Sequence, residues 1–422
     1  MTVLLVLHPG HRPAQAQTVF RSAEALVTEG KFAEAKRLLE SNRFEGAEAV
    51  PAAYLLAVVY ARTGQAGQAE KLLRDILSRD PDIDAVRLEL VRILAAQGKK
   101  QGASYQLNRL TDTADLARDK DQLEQLARQI GSTDGFTLSG YLSLAPSTNV
   151  NDGTSQSVIT IGGLPFLIAG SARQQSGVGV KAGAVAGYSR ALGENLSAYT
   201  SLSGGFADYS NDQFDKQQTE LRVGIRHHEL TYSLQAEAIV DRHWQNAKAS
   251  SLGIGGRLSG KWNFSRGWWL SAELTGMKRS FDADALASSR TLRTTVALRH
   301  AFSNRLAMSI SGSFETEDVP ARPWNSYDSP SVTFGVETAL VHGVRMSASL
   351  SSGERSFRGL FPGVGMARHD TFWELRGTFR KDNLEIAGLS PVIGVFRKEQ
   401  RSNVAFYEYS TTGMELTFTK AF

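Results

Sequence analysis

Cysteine is absent from the 422 residues. That excludes a disulfide framework, a thiolate metal site and a cysteine nucleophile. Proline is scarce, at 11 residues. No run approaches the ~20 apolar residues that a membrane-crossing helix requires, so a helical membrane protein is excluded. A barrel is not, because its strands alternate apolar and polar residues and stay near neutral in mean hydropathy. Charge of one sign is also lacking: the formal net charge is +4 and no long Lys/Arg run occurs, so no nucleic acid is expected as partner. Nucleophile-elbow, HExxH and Gly-rich phosphate-loop motifs are missing. The chain is therefore expected to be no enzyme, with no catalytic residue, no metal site and no cofactor.

What is present begins with a short apolar run, Val3 to Leu7, then Ala14-Gln15-Ala16. The Ala-x-Ala step matches a signal-peptidase site, so residues 1–16 are expected to be a signal peptide with a truncated or misassigned start, and the mature chain to begin near Gln17; a chance apolar start is the alternative.

Gly30, Gly64 and Gly98 are 34 residues apart. Ala35, Ala69 and Ala103 keep the register, as do Leu39, Leu73 and Leu107, and Leu26, Tyr60 and Leu94. Glycine suits a tight turn between helices, alanine a close crossing, and the larger residues a seam. The segment resembles tetratricopeptide repeats, whose period this is. Residues 17–131 are expected to form an α-solenoid with a concave groove for a peptide or protein, or else a spacer without ligand. Tyr54, Arg62 and Arg92 are the candidate groove residues.

From Phe136 the period changes to two. Leu221, Val223 and Ile225 alternate with Glu220, Arg222 and Arg226; Trp373, Leu375 and Phe379 alternate with Glu374, Arg376 and Arg380. Segments of 10–15 residues exceed soluble strands and suit tilted membrane strands. Residues 136–422 are therefore read as a transmembrane antiparallel β-barrel of about 14 strands. The fold class is α + β multidomain, with the solenoid leading into the barrel. The polar face comprises Glu220, Arg222, Arg226, Glu237, Glu273, Arg293, Arg299, Glu315, Glu337, Arg345, Glu374, Arg376 and Arg380, expected to face the lumen. These residues either pair across strands and fill the interior or form a selectivity lining. Trp244, Trp262, Trp268 and Trp269 are expected in interfacial girdles.

Short turns are expected near 191–194, 228–229, 265–267, 303–304, 342–343 and 381–383. Longer loops are expected at 146–175, 210–216, 245–249, 282–289, 317–328, 358–367 and 399–404. This alternation puts both barrel ends, and the solenoid, on the periplasmic side of the outer membrane. Within 146–175, Ile159-Thr160-Ile161 and Leu164 to Ile168 are apolar, and burial as a constriction in the lumen is expected, contact with client or lipid being the alternative. His227 and His228 are adjacent on a strand, point to opposite faces and cannot share a metal. Asp282 and Asp284 belong to a solvated loop, a hard cation being the alternative. The chain ends in an alternating strand in which Met414, Leu416, Phe418 and Phe422 form an expected insertion signal; Lys420 departs from the usual apolar residue there.

Two stretches narrow the field: Leu144-Ala145-Pro146-Ser147-Thr148-Asn149-Val150-Asn151, and Arg401-Ser402-Asn403-Val404-Ala405-Phe406-Tyr407-Glu408-Tyr409. With the solenoid–barrel architecture, they resemble the surface lipoprotein assembly modulator (Slam) family. The resemblance implies a translocon that delivers client surface lipoproteins or secreted proteins to the cell surface. It implies as partners the client, outer-membrane lipid and the barrel-assembly machinery. A local reading also stands: Pro146 to Asn151 turn the chain out of the first strand, Asn403 caps a loop, and Tyr407 and Tyr409 anchor at an interface. The alternative function is a passive porin or a polysaccharide-export pore.

Overall fold

The computed structural model describes residues 13–113, 116–131, 134–161, 163–340, 343–382 and 384–420. Most of the expected signal peptide lies outside these residues; Pro13 to Ala16 open the first helix. Among the described residues no helix is long and apolar enough to cross a membrane.

The chain divides into two compact units, residues 1–110 and 111–422. The first is built from α1 (Pro13–Thr28), α2 (Phe32–Glu40), α3 (Ala49–Arg62), α4 (Ala66–Arg79), α5 (Asp84–Ala96) and α6 (Lys100–Thr113), the last crossing the boundary. The 34-residue period is a capping motif. Gly30, Gly64 and Gly98 have φ of 76°, 80° and 69°. The next residue's amide then donates back to the preceding helix: Lys31 to Leu26 (2.8 Å), Gln65 to Tyr60 (2.8 Å) and Lys99 to Leu94 (2.9 Å). These are the Schellman bonds that satisfy orphan carbonyls, and left-handed φ is what selects glycine. Ala35, Ala69 and Ala103 are fully buried at the following crossings, and Leu39, Leu73 and Leu107 fill the seam.

The second unit holds α7 (Leu116–Gly131) and sixteen strands. They are β1 (Gly135–Ser147), β2 (Val158–Ile161), β3 (Leu164–Leu167), β4 (Gly177–Ala191), β5 (Leu196–Tyr209), β6 (Lys216–His228), β7 (Tyr232–Gln245) and β8 (Lys248–Ser265). Then come β9 (Trp268–Phe281), β10 (Ser289–Ala301), β11 (Leu306–Asp318), β12 (Tyr327–Ala339), β13 (Val344–Leu360), β14 (Ala367–Lys381), β15 (Leu389–Ser402) and β16 (Tyr409–Lys420). Fourteen of them, β1 and β4 to β16, form a closed antiparallel barrel; β2 and β3 pair only with each other. Closure leaves no unpaired edge to face lipid.

Several connections differ from the expected lengths. The strands β7 and β8 continue to a two-residue turn, Asn246-Ala247, both at left-handed φ, where a loop over 245–249 was expected. A tight mirror-image turn matches strand twist and lets pairing run to its end. The short turn expected at 381–383 extends from Asp382 to Gly388, with a bridge between Ile386 and Leu389. The loop expected at 399–404 lies at 403–408, because β15 keeps its pairing to β14 through Ser402.

Candidate functional site

The ladder register fixes which side chains share a face. Glu220 opposes Asp241, Asp241 opposes Gly253, and Gly253 opposes Arg279; the parity continues to Arg293–Glu315, Glu337–Ser347 and Arg345–Arg380. Glu220, Arg222, Arg226, Glu237, Glu273, Arg293, Arg299, Glu315, Glu337, Arg345, Glu374, Arg376 and Arg380 therefore occupy one face. That face is the inner one, because its side chains reach over an intervening strand. Tyr199 on β5 donates to Glu237 on β7 at 2.5 Å, and Arg279 on β9 meets Asp241 on β7 at 2.8 Å. Only on the concave side do strands two apart converge so closely.

The inner wall is knitted rather than bare. Arg257 lies between Glu237 (3.2 Å) and Glu273 (3.5 Å), Arg345 meets Asp382 at 2.8 Å, and Arg293 pairs with Glu315. Opposite charges across strands cancel locally. Sequence reading missed Arg257 and Arg279, members of the same network.

The outer face carries Leu142, Leu144, Leu221, Val223, Leu258, Leu274, Phe314, Phe334 and Leu375, all exposed. Such a band is stable only against hydrocarbon. Trp262, Phe264, Trp268, His300 and Phe302 stack in a chain beside the short turns. Trp269 is not part of that girdle: alternation turns it inward, where it is 5% exposed. Met414, Leu416 and Phe418 lie on the outer face by register, while Phe422 lies outside the described residues.

The two stretches that carry the family resemblance are linked through residues at their margins. Asn149 Nδ2 donates to the Ser410 carbonyl (3.1 Å) and to the Gly153 carbonyl (2.9 Å), and its Oδ1 accepts the Gly153 amide. Thr154 Oγ1 donates to the Ala405 carbonyl (3.2 Å). A Cβ at Gly153 would stand 2.6 Å from the Arg173 carbonyl carbon, so only glycine fits. Lys398 Nζ meets Asp152 at 2.7 Å, and Thr411 donates to the same carboxylate. Beside them, Arg368 holds the fully buried Asp370 at 2.6 Å and lies 3.3 Å from the Tyr407 ring centroid. Tyr407 is thus a stacking partner of a buried arginine, not an interfacial anchor. Asn403 caps the neighbouring loop through the His369 amide and the Ala367 carbonyl. Pro146 does not turn the chain; β1 runs on to Ser147.

The long connection after β1 also departs from expectation. Its hairpin, β2 and β3, leaves Val158, Leu164, Phe166 and Leu167 exposed, the last at 86%. Four-residue strands that pair only with each other offer no second layer to cover them. No buried constriction forms from it. Asp282 and Asp284 are each paired with an arginine, Arg242 (2.9 Å) and Arg322 (2.6 Å). Among the described residues no cluster of metal-ligating side chains occurs.

In the helical unit, Tyr54 and Arg92 are brought together through Glu89. Glu89 accepts from Arg92 at 3.1 Å, and the Tyr54 hydroxyl is pushed up by burial and by Glu89, with Arg92 opposing. Arg62 stands exposed at the end of the same helix as Tyr54.

Residues 136–422, the entire barrel, match the family described as surface lipoprotein assembly modifier. The chain belongs to that family. A tetratricopeptide repeat matches residues 26–85. The chain is an outer-membrane β-barrel with a tetratricopeptide unit ahead of it. No curated protein matches its sequence. Among solved structures, the outer membrane channel DcaP of Acinetobacter baumannii is 8% identical with a TM-score of 0.38, covering 68% of this chain and 97% of that one. The monoaromatic hydrocarbon channel CymD is 11% identical at 0.39 (70% and 91%). A bacterial polysaccharide outer membrane secretin is 13% identical at 0.34 (67% and 98%). Likeness at those scores specifies no ligand or cargo.

Proposed function

We propose that this chain is an outer-membrane translocon that delivers specific client proteins, surface lipoproteins or related secreted proteins, to the cell surface. The observation that carries the reading is the joining, in one chain of this family, of a tetratricopeptide unit to a closed barrel. The repeats would stand in the periplasm and take the client in the groove near Tyr54 and Arg92. The barrel would pass it outward along the paired inner wall. Folding of the client outside supplies direction, since the chain carries no nucleotide-binding loop. Transport rather than catalysis is the role that fits. Residues 1–16 would direct export, and the barrel-assembly machinery would read Met414, Leu416, Phe418 and Phe422.

The test compares surface proteins on intact host cells, labelled with a membrane-impermeant reagent, with and without the gene. Loss of one or two proteins from the surface, with their retention inside, supports the translocon and names the client. An unchanged surface set overturns it. A second reading, a passive or polysaccharide-conducting pore, draws on the charged inner wall. Steady open-channel conductance in planar bilayers would favour that reading.

A further inference from the structure

One seam of the barrel differs from the rest. Eleven to fourteen ladder pairs join every other pair of neighbouring barrel strands. Among the described residues, five join β1 to β16. The ladder holds from Tyr141–Thr419 to Leu144–Leu416, lapses, and resumes at Ser147–Gly413. The lapse falls on Ala145 and Pro146. The Thr148 amide donates to the Thr412 carbonyl, so narrow pairs recur every second residue from there. Position 146 is such a pair, and proline has no N–H to give it.

Side chains bridge the seam on its inner side, one pair within the laddered stretch and one beside the lapse. Ser143 and Thr417 bond at 2.8 Å, and Lys181 on β4 reaches past β1 to Glu415 at 2.6 Å. Such contacts exchange readily with water or with a polar chain in the lumen. On the outer side the seam is flanked by Leu142, Leu144, Leu416 and Phe418, which meet lipid as readily as they meet each other. Beside the lapse a groove of about 900 Å³ runs along the outer face, lined mostly by carbon, with Arg397 and Thr412 the polar side chains on its outer wall. It starts at Pro146, Val178 and Met414 and crosses to Gly377 and Ala348, small residues that form its floor.

We propose that the β1–β16 seam opens sideways and passes the acyl chain of a lipid-anchored client from the lumen into this groove, and so into the membrane. The inference rests on the translocon reading. Its physical basis is that every methylene of an acyl chain kept in a polar lumen, rather than in hydrocarbon, costs free energy. A client with an anchor needs an exit through the wall, and among the described residues this seam has the fewest ladder pairs. The groove gives the emerging chain an apolar furrow at that exit.

The test uses the full chain in its native outer membrane, where the absence of cysteine gives a clean background. Ser143→Cys with Thr417→Cys locks this seam on oxidation. Thr295→Cys with Ser313→Cys locks the β10–β11 seam at equivalent geometry, its hydroxyls being 2.9 Å apart. The readout is the set of surface lipoproteins released by protease shaving. At least a tenfold loss is expected with the first lock, restored by reductant, and none with the second. No loss with either lock, or equal loss with both, overturns the lateral exit while leaving the translocon in place. If deletion of the gene itself changes no surface lipoprotein, the translocon reading falls and the exit falls with it. Hydrogen exchange on the chain in nanodiscs adds a readout that needs no client. Amides of 140–147 and 411–418 are expected to exchange at least tenfold faster than those of β10 and β11, and equal rates overturn the opening. For the groove, Gly377→Leu, whose Cβ meets Val395 at 3.5 Å, Phe379 at 3.9 Å and the Ser347 carbonyl at 4.0 Å, all ordinary contacts, is expected to cut lipoprotein display at least fivefold. Unchanged display would mean that bulk lipid alone fills it.

Discussion

Lys181 and Glu415 stand 2.6 Å apart although β1 lies between their strands. Glu415 also has Arg376 at 3.6 Å, so one carboxylate serves two cations. Both members of the close pair are about a quarter exposed. Glu415→Gln is expected to weaken the folded barrel by about 1 kcal/mol, since Lys181 loses its counter-charge and Arg376 keeps only Glu374, at 2.9 Å. The temperature at which the compact band converts to the unfolded band on a gel should fall. The swap Lys181→Glu with Glu415→Lys should recover only part of the loss, because a lysine at 415 faces Arg376. No shift in the single variant would mean that the pair contributes nothing to closure.

Arg368 offers a larger effect. Its guanidinium is enclosed by the Phe357 ring at 4.1 Å and the Tyr407 ring at 3.3 Å and holds Asp370, which is fully buried. Arg368→Ala strips the counter-charge from that carboxylate and costs roughly 3–5 kcal/mol locally. The loop 403–408, which the pair and Gln400 hold down, should become cleavable by added protease on intact cells. Arg368→Ala with Asp370→Ala, which leaves no buried charge, should be cleaved less than the single variant. Equal resistance of the single variant and the natural chain would rule out this latch.

Gly64 tests the capping reading of the repeat. Alanine there must hold φ near 80° while Gln65 keeps its bond to the Tyr60 carbonyl. Space is not the obstacle, because nothing lies within 4 Å of the added carbon. The cost is therefore conformational, about 1 kcal/mol. Thermal melts followed at 222 nm on the full chain should show the helical signal lost earlier. Gly67→Ala, inside α4 where alanine is favoured, should not lower it.

Much of this was legible because two periods survive in the sequence. The 34-residue step is legible since each repeat needs a left-handed residue at one place, and only glycine supplies it cheaply. The polar face is legible since strand alternation is strict, so Glu220 and Arg380 fall on one side although many strands separate them. Trp269 misled because residue type suggested an interface while its parity, one step from Trp268, turned it inward. The turn at Asn246-Ala247 was read as a loop because its second residue is alanine, not the glycine that usually marks such turns. What no local pattern carries is the closure. That Asn149 bonds Ser410, and that Pro146 breaks the ladder to β16, depend on which strands become neighbours when the ring closes.

The helical unit should respond to acid through Glu70. Burial opposes its ionisation, but the Lys99 ammonium at 2.5 Å and the Arg74 guanidinium at 3.0 Å overcome that and hold the carboxyl below its usual 4.5. A depressed carboxylate contributes stability that is complete above the unfolded value and is lost as pH falls through the folded one. The helices should therefore melt progressively earlier from pH 4.5 downward. Glu70→Gln removes that contribution and should cost about 1 kcal/mol at neutral pH, discounted for solvent screening at half-exposed Lys99. Its melting temperature at 222 nm should then vary less between neutral pH and pH 4 than that of the natural chain. Parallel acid profiles for the two proteins would mean that Glu70 is not among the groups linking this unit's stability to protons.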